Sequence, residues 1–170
     1  MPTSIGHGLA GIAAGWAVAG VEADRRARWR QAWILAAVAA VPDVDLILRW
    51  HRSESHSLGA AAIVATVAAW TLWPVARTRR LIWFAIFAAY ATHPLLDSLA
   101  IDNGPPLGIM AFWPFSRVYV QTGVALFAPV WRQWWVPGFL VYNSLAVARE
   151  TLILAPLCVA VWRWRRGNRE

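Results

Sequence analysis

Apolar residues in this chain come in long blocks separated by short polar breaks. The blocks over 5–21, 31–50, 57–76, 81–100 and 144–162 are each about long enough to cross a bilayer as a helix. The first is rich in small residues (Gly8, Ala10, Gly11, Ala14, Gly15), which let membrane helices pack closely. A basic break over 22–30 holds Arg25, Arg26, Arg28 and Arg30. The second block is interrupted by Pro42-Asp43-Val44-Asp45, where Pro42 removes a backbone donor and can kink or end a helix. The third is free of charge and closes on Arg77, Arg79 and Arg80. The fourth contains His93-Pro94-Leu95-Leu96-Asp97. Residues four apart share a helical face, so His93 and Asp97 point the same way. Residues 101–143 are broken by Pro105-Pro106, Trp113-Pro114, Pro129 and Pro137-Gly138. With Phe112, Phe115, Trp131, Trp134 and Trp135 among them, short helices and loops at the membrane interface are expected there. No internal repeat or low-complexity linker divides the chain. The pattern predicts one all-α domain over 1–170, a polytopic helical membrane protein with about five membrane segments.

Composition points the same way: 59% of residues are hydrophobic, 15% are charged, and thirteen are Trp, a residue that gathers at bilayer interfaces. The formal charge of +7 comes from sixteen arginines and no lysine. They sit in short clusters between apolar runs, the pattern of cytoplasmic loops and of contact with anionic lipid headgroups, so no nucleic-acid partner is expected. By alternate breaks, eleven arginines fall on one side (25, 26, 28, 30, 77, 79, 80, 163, 165, 166 and 169) and five on the other (49, 52, 117, 132 and 149). The positive-inside rule then places the N-terminus outside and the C-terminus in the cytoplasm. The first residues lack a basic n-region and a small-residue cleavage site, and read as the first membrane segment. The single Cys158 defines no disulfide framework.

One stretch concentrates chemistry. Residues 42–57 hold Asp43, Asp45, His51 and His56, out of nine acids and four histidines in the whole chain. Carboxylates beside apolar segments are costly unless paired, protonated or bound to a cation. A metal ion satisfies Asp and His together. The topology adds a convergence: His7, Asp43, Asp45, His51, His56, His93, Asp97 and Glu150 all fall at the outer ends of their segments. This mixed set without thiols suits Zn²⁺, with Mn²⁺ or Fe²⁺ as alternatives. Such an ion would activate a water and polarise a phosphoryl or acyl oxygen. Whichever of Asp43 and Asp45 is not a ligand would act as general base or orient a ligating His. Arg52 carries the planar fork that matches a phosphate. His51 stays open between a group beside the ligands, an acid for the leaving group and a solvated side chain. Glu150 stays open between ligand and ion-pair partner. Ser55 and Ser57 read as helix caps, and Glu54 as solvated.

The motifs also stand in a known order. His7, Pro42-Asp43-Val44-Asp45, His51-Arg52, Ser55-His56-Ser57, His93-Pro94-Leu95-Leu96-Asp97, Gly104 and Trp113-Pro114-Phe115-Ser116 follow one another along the chain. From His7 to about Glu150 it resembles the membrane-bound metal-dependent hydrolases of the YdjM type. It departs from them at Ser53-Glu54, where that family more often has Gly and an apolar residue. The order is similar, more distantly, to the helical zinc phospholipase C and single-strand nuclease group. That similarity implies Asp45 or Asp43, His56, His93 and Asp97 around a first ion, with His7 sharing Asp97 with a second. Position 146 is Ala where a third site would need His, so one or two ions are expected. The resemblance implies an enzyme of the bacterial inner membrane, and the arginine topology places its site on the extracytoplasmic side. Its expected reaction is hydrolysis of a phosphoester in a lipid or lipid-linked substrate. The nearest alternative is an amidase or esterase acting on a lipid acyl bond. A small metal or solute transporter could use the same Asp/His set, but would need access from both faces.

Overall fold

The computed structural model describes residues 1–48, 52–71, 78–101 and 107–168. Among them are five long helices: α1 (Ser4–Ala19), α2 (Arg25–Ala40), α4 (Leu58–Thr71), α5 (Arg79–Ser98) and α6 (Phe139–Gly167). The one-turn α3 (Asp45–Leu48) and 3-10 turns at Val41–Val44 and Glu54–His56 lie between α2 and α4. No strand forms among the described residues beyond two isolated bridges, Ala100 with Phe127 and Ile109 with Val120.

Four helices start on side-chain caps. Thr3 Oγ1 accepts from Gly6 N at 3.3 Å, Asp24 Oδ2 from Ala27 N at 2.7 Å, Ser57 Oγ from Ala60 N at 3.0 Å and Thr78 Oγ1 from Leu81 N at 3.3 Å. Each such cap stabilises its helix by about 1 kcal/mol. The Asp24 cap draws the basic break into the fold: Arg25, Arg26, Arg28 and Arg30 belong to the first turns of α2, not to a loop.

Helix α1 is the central element, packed against α2, α5 and α6. Its small residues let α2 come close. A Cβ on Gly11 would meet the Ala39 methyl and, at 2.9 Å, the Leu35 carbonyl, while one on Gly15 would collide with the Leu35 side chain. The core beneath is built of Trp16, Val21, Ala32, Leu35, Ala65, Ile86 and Ala89. Large apolar side chains face outward instead, Trp33, Ile63, Val67, Leu140 and Leu152 among them. A soluble protein would hide these residues; a bilayer solvates them.

Helix α6, 29 residues and about 43 Å long, is the one described helix that is long and apolar enough to cross a membrane by length and composition. Helices α1 and α4 are apolar but shorter, so the expectation of five spans is met in full by one. Helix α6 begins at Phe139, earlier than the expected 144, directly after Gly138 with φ 87°. It runs parallel to α1. Near one end Glu150 binds Thr3, and near the other the Arg165 guanidinium donates to the carbonyls of Ala17 and Val18.

Residues 107–138 contain no helix, contrary to the expectation of short interfacial ones. Their prolines remove the donors a helix needs, and the segment bonds instead to the ends of α4 and α5. Ala111 O accepts from Leu58 N at 2.9 Å, and Leu99 O accepts from Leu126 N and Phe127 N at 2.9 and 3.2 Å. Gly59 allows the contact, because a Cβ there would strike the Trp113 carbonyl. The result is a roof over one end of the bundle. Phe115, 97% exposed, and Trp134, 73% exposed, project from it.

Candidate metal centre

The start of α1, the end of α2, the turn before α4 and the end of α5 meet beneath this roof. They bring His7, Asp43, Asp45, His56, His93 and Asp97 together, while the arginines of early α2, early α5 and late α6 lie at the opposite end. The bundle thus separates the two kinds of polar residue that the sequence separates by alternate breaks.

Asp97 is the centre of the cluster. Its Oδ1 lies 3.3 Å from His7 Nε2, and its Oδ2 lies 3.4 Å from both His56 Nε2 and His93 Nε2. All four side chains are buried. The contacts of Asp97 with His7 Nε2 and His93 Nε2 are long and poorly aligned for hydrogen bonds, and these buried atoms have no other hydrogen-bond partner among the described residues. Burying an ionised carboxylate and imidazole nitrogens in this way costs several kcal/mol per charge unless something compensates them. A cation does so. Two ligands held 2.0–2.1 Å from a tetrahedral ion lie about 3.3 Å apart, which is the spacing found here.

Neighbouring groups set the direction of the nitrogens. His93 Nδ1 is 2.7 Å from the Ala39 carbonyl, which can only accept. The proton therefore sits on Nδ1, and the Nε2 lone pair faces Asp97 and Asp43. His56 Nδ1 lies 3.1 Å from Asp45 Oδ2, which also accepts from Ser55 Oγ at 2.5 Å. Tyr90 Oη donates to the Ser55 carbonyl at 2.8 Å and holds this turn against α5. The His7 and His93 rings stack with centroids 3.6 Å apart. Two charged rings would repel at that distance, and neutral imidazole is the form that ligates metals.

Two ligand groups emerge: His7, Asp43 and His93, and His56, His93 and Asp97. Both draw on His93, which has one nitrogen left after Ala39. They are overlapping placements that cannot both be filled through that nitrogen. The residues fit a cation by burial, spacing and donor type, and the cluster can hold one.

Geometry also divides the two aspartates. Asp43 Oδ1 faces His93 Nε2 at 3.7 Å and belongs to a ligand group, whereas Asp45 stands behind His56. Glu150 is in neither group. Its carboxylate, 1% exposed, accepts from Thr3 N at 3.0 Å and Thr3 Oγ1 at 2.5 Å, and pins the start of α1. Of the two proposed caps, Ser57 caps α4 and Ser55 serves Asp45. His51, together with Gly104 of the family pattern, lies outside the described residues.

Asp43 is also where the cluster meets the surface. A cleft of about 630 Å³ is lined by it together with Ser4, Arg52, Leu46, Pro129 and Arg132. Arg52 sits in the left-handed region at φ 69°, with its Nε 3.3 Å from Met1 Sδ. Arg132 and Pro129 belong to the Trp-rich stretch expected at the membrane interface. No sequence signal marks Arg132, because the path of the roof brings it to the cleft.

The fold and the site together define a helical protein with a lipid-compatible outer surface and a buried His/Asp cluster able to hold a metal ion at one end. Its lineage is specific: the family model described as YdjM inner membrane protein matches residues 1–168, and the chain belongs to that family. No curated protein and no solved structure matches the chain, and the comparisons give no support to the expected similarity to helical zinc phospholipases.

Proposed function

We propose that this protein is a membrane-embedded, metal-dependent hydrolase that cleaves a phosphoester of a lipid or lipid-linked substrate. One observation carries the reading: Asp43 belongs both to the ligand cluster and to a cleft that contains two arginines. When bound, a divalent cation, with Zn²⁺ the best match to the donor set, supplies Lewis acidity and an activated water. Arg52 and Arg132 hold the anionic phosphate, a task suited to planar guanidinium forks. Asp43 faces His93 through Oδ1, and its Oδ2, on the Ser4 side of the cleft, accepts the proton released when water attacks phosphorus. Asp45 keeps the His56 ring turned toward Asp97. With the arginine-rich end in the cytoplasm, the cleft opens at the outer headgroup level, where lipids arrive by diffusion in the plane.

The test pairs metal content with turnover. Detergent-purified protein should carry transition metal that His93→Ala loses, and it should release a water-soluble phosphate product from phospholipid micelles. Arg132→Gln should raise KM with metal content unchanged. Release of fatty acid instead would move the reading to an acyl bond. Absence of metal after gentle purification, with no uptake of added Zn²⁺ or Mn²⁺, would remove the hydrolase reading altogether. Transport needs access from both faces, and a cluster confined to one end of the bundle does not favour it.

A further inference from the structure

A second opening lies at the arginine-rich end, remote from the cluster. Helices α2 and α6 each pack on α1, and between them remains a cavity of about 380 Å³. Its apolar walls include Trp16, Ala32, Cys158 and Trp162, and it also carries Arg25 and Arg28. The floor is fixed. Trp16 Nε1 donates to Gln31 Oε1 at 3.0 Å, and Gln31 Nε2 donates to the Gly20 carbonyl at 2.9 Å. The one polar atom of the indole is therefore satisfied, and its ring is left as apolar surface.

The two guanidiniums are available. Arg28 Nη1 donates to the carbonyls of Glu22 and Ala23 at 3.4 and 3.3 Å, which leaves its Nε and Nη2 donors uncommitted. Arg25 has no hydrogen-bond or ion-pair partner among the described residues. Asp24, beside it in sequence, is occupied in capping α2 and does not line the cavity. The site thus joins an apolar, tryptophan-lined slot to a pair of cations, within a chain whose family is of the inner membrane. An inorganic anion would use the arginines and leave the slot empty, and a neutral lipid would use the slot and leave the arginines.

We propose that this cavity binds a bilayer phospholipid with an anionic headgroup, its phosphate on Arg25 and Arg28 and one acyl chain against Trp16, Cys158 and Trp162. Basic pockets between membrane helices are suited to such headgroups, and fork-like guanidiniums to their phosphates. The binding is independent of the metal centre.

Native mass spectrometry of the detergent-solubilised protein tests it, with phosphatidylglycerol and phosphatidylcholine of identical chains as probes. Phosphatidylglycerol should be retained preferentially, and the Arg25→Gln/Arg28→Gln variant should bind it on the order of tenfold more weakly. Cys158, the single thiol, supplies a readout in the unaltered protein: its alkylation by a small maleimide should slow with phosphatidylglycerol and not with phosphatidylcholine. Equal retention of the two lipids, retention in the double variant at the level of the parent, or an alkylation rate indifferent to phosphatidylglycerol would each overturn the proposal. If the double variant loses helicity, the alkylation result on the parent protein decides.

Discussion

Replacing Asp45 by Asn keeps the size of the side chain and removes its charge at the far nitrogen of His56. Asp45 Oδ2 takes a 2.5 Å hydrogen bond from Ser55 and stands 3.1 Å from His56 Nδ1, while the opposite nitrogen of that ring points at Asp97. The amide can rotate its NH₂ toward Nδ1, which would favour the tautomer with its lone pair turned away from Asp97. Loss of an orienting carboxylate behind a ligating His weakens metal affinity by about 10- to 100-fold, or about 1.4–2.7 kcal/mol. Asp43→Asn alters a ligand and should cost more. The assay is competition for Zn²⁺ against a chelator of known affinity, with circular dichroism confirming intact helices. Affinity within a factor of about two of the parent would refute the orienting role, since the expected loss begins near tenfold. If Asp45→Asn instead abolishes binding while Asp43→Asn spares it, the two aspartates have exchanged roles.

Three further outcomes are expected. Gly11→Ala drives a methyl into Ala39 and the Leu35 carbonyl and should destabilise the bundle by about 1–3 kcal/mol; because Ala39 O orients His93, metal affinity should fall in step with the melting temperature, and a lower melting temperature with full affinity would contradict that coupling. Glu150→Ala removes charge-assisted bonds to Thr3 and should cost about 1.5–3 kcal/mol in thermal unfolding, yet leave metal stoichiometry unchanged; loss of the metal would return Glu150 to the ligands. In a Cys158→Ser background, Phe115→Cys should react with an impermeant maleimide applied to intact cells, and reaction only after lysis would reverse the orientation.

Much of the site was legible because its residues come in pairs with a fixed local geometry. The four-residue spacing of His93 and Asp97 decides their common face in any helix, and Pro94 does not interrupt it. The choice between Asp43 and Asp45 was not legible. It depends on Val41–Val44 forming a 3-10 turn before α3; at three residues per turn, positions two apart diverge by about 120°, so that Asp43 faces His93 while Asp45, which opens α3, stands behind His56. Glu150 looked like a ligand because a carboxylate in an apolar run needs a partner, and that partner, the start of α1, is set by tertiary packing. Arg132 was invisible for the same reason. The apolar blocks located the helices but not their ends, since Asp24 and Gly138 act through backbone caps and turns that hydropathy does not register.

The placement of the ligands along the chain bears on how the protein is made. Every member of the cluster lies between His7 and Asp97, so the full set has been synthesised before any of α6 exists. Pro129 and Arg132, which help to shape the cleft, come later, and Glu150 later still. Should the cluster hold an ion, the nascent chain has every ligand for it while the cleft is still unwalled. The last helix then arrives alongside α1, and Glu150 takes hold of Thr3 as a latch. On the metal reading, completion of the ligand set and closure by α6 are therefore separated in the order of synthesis.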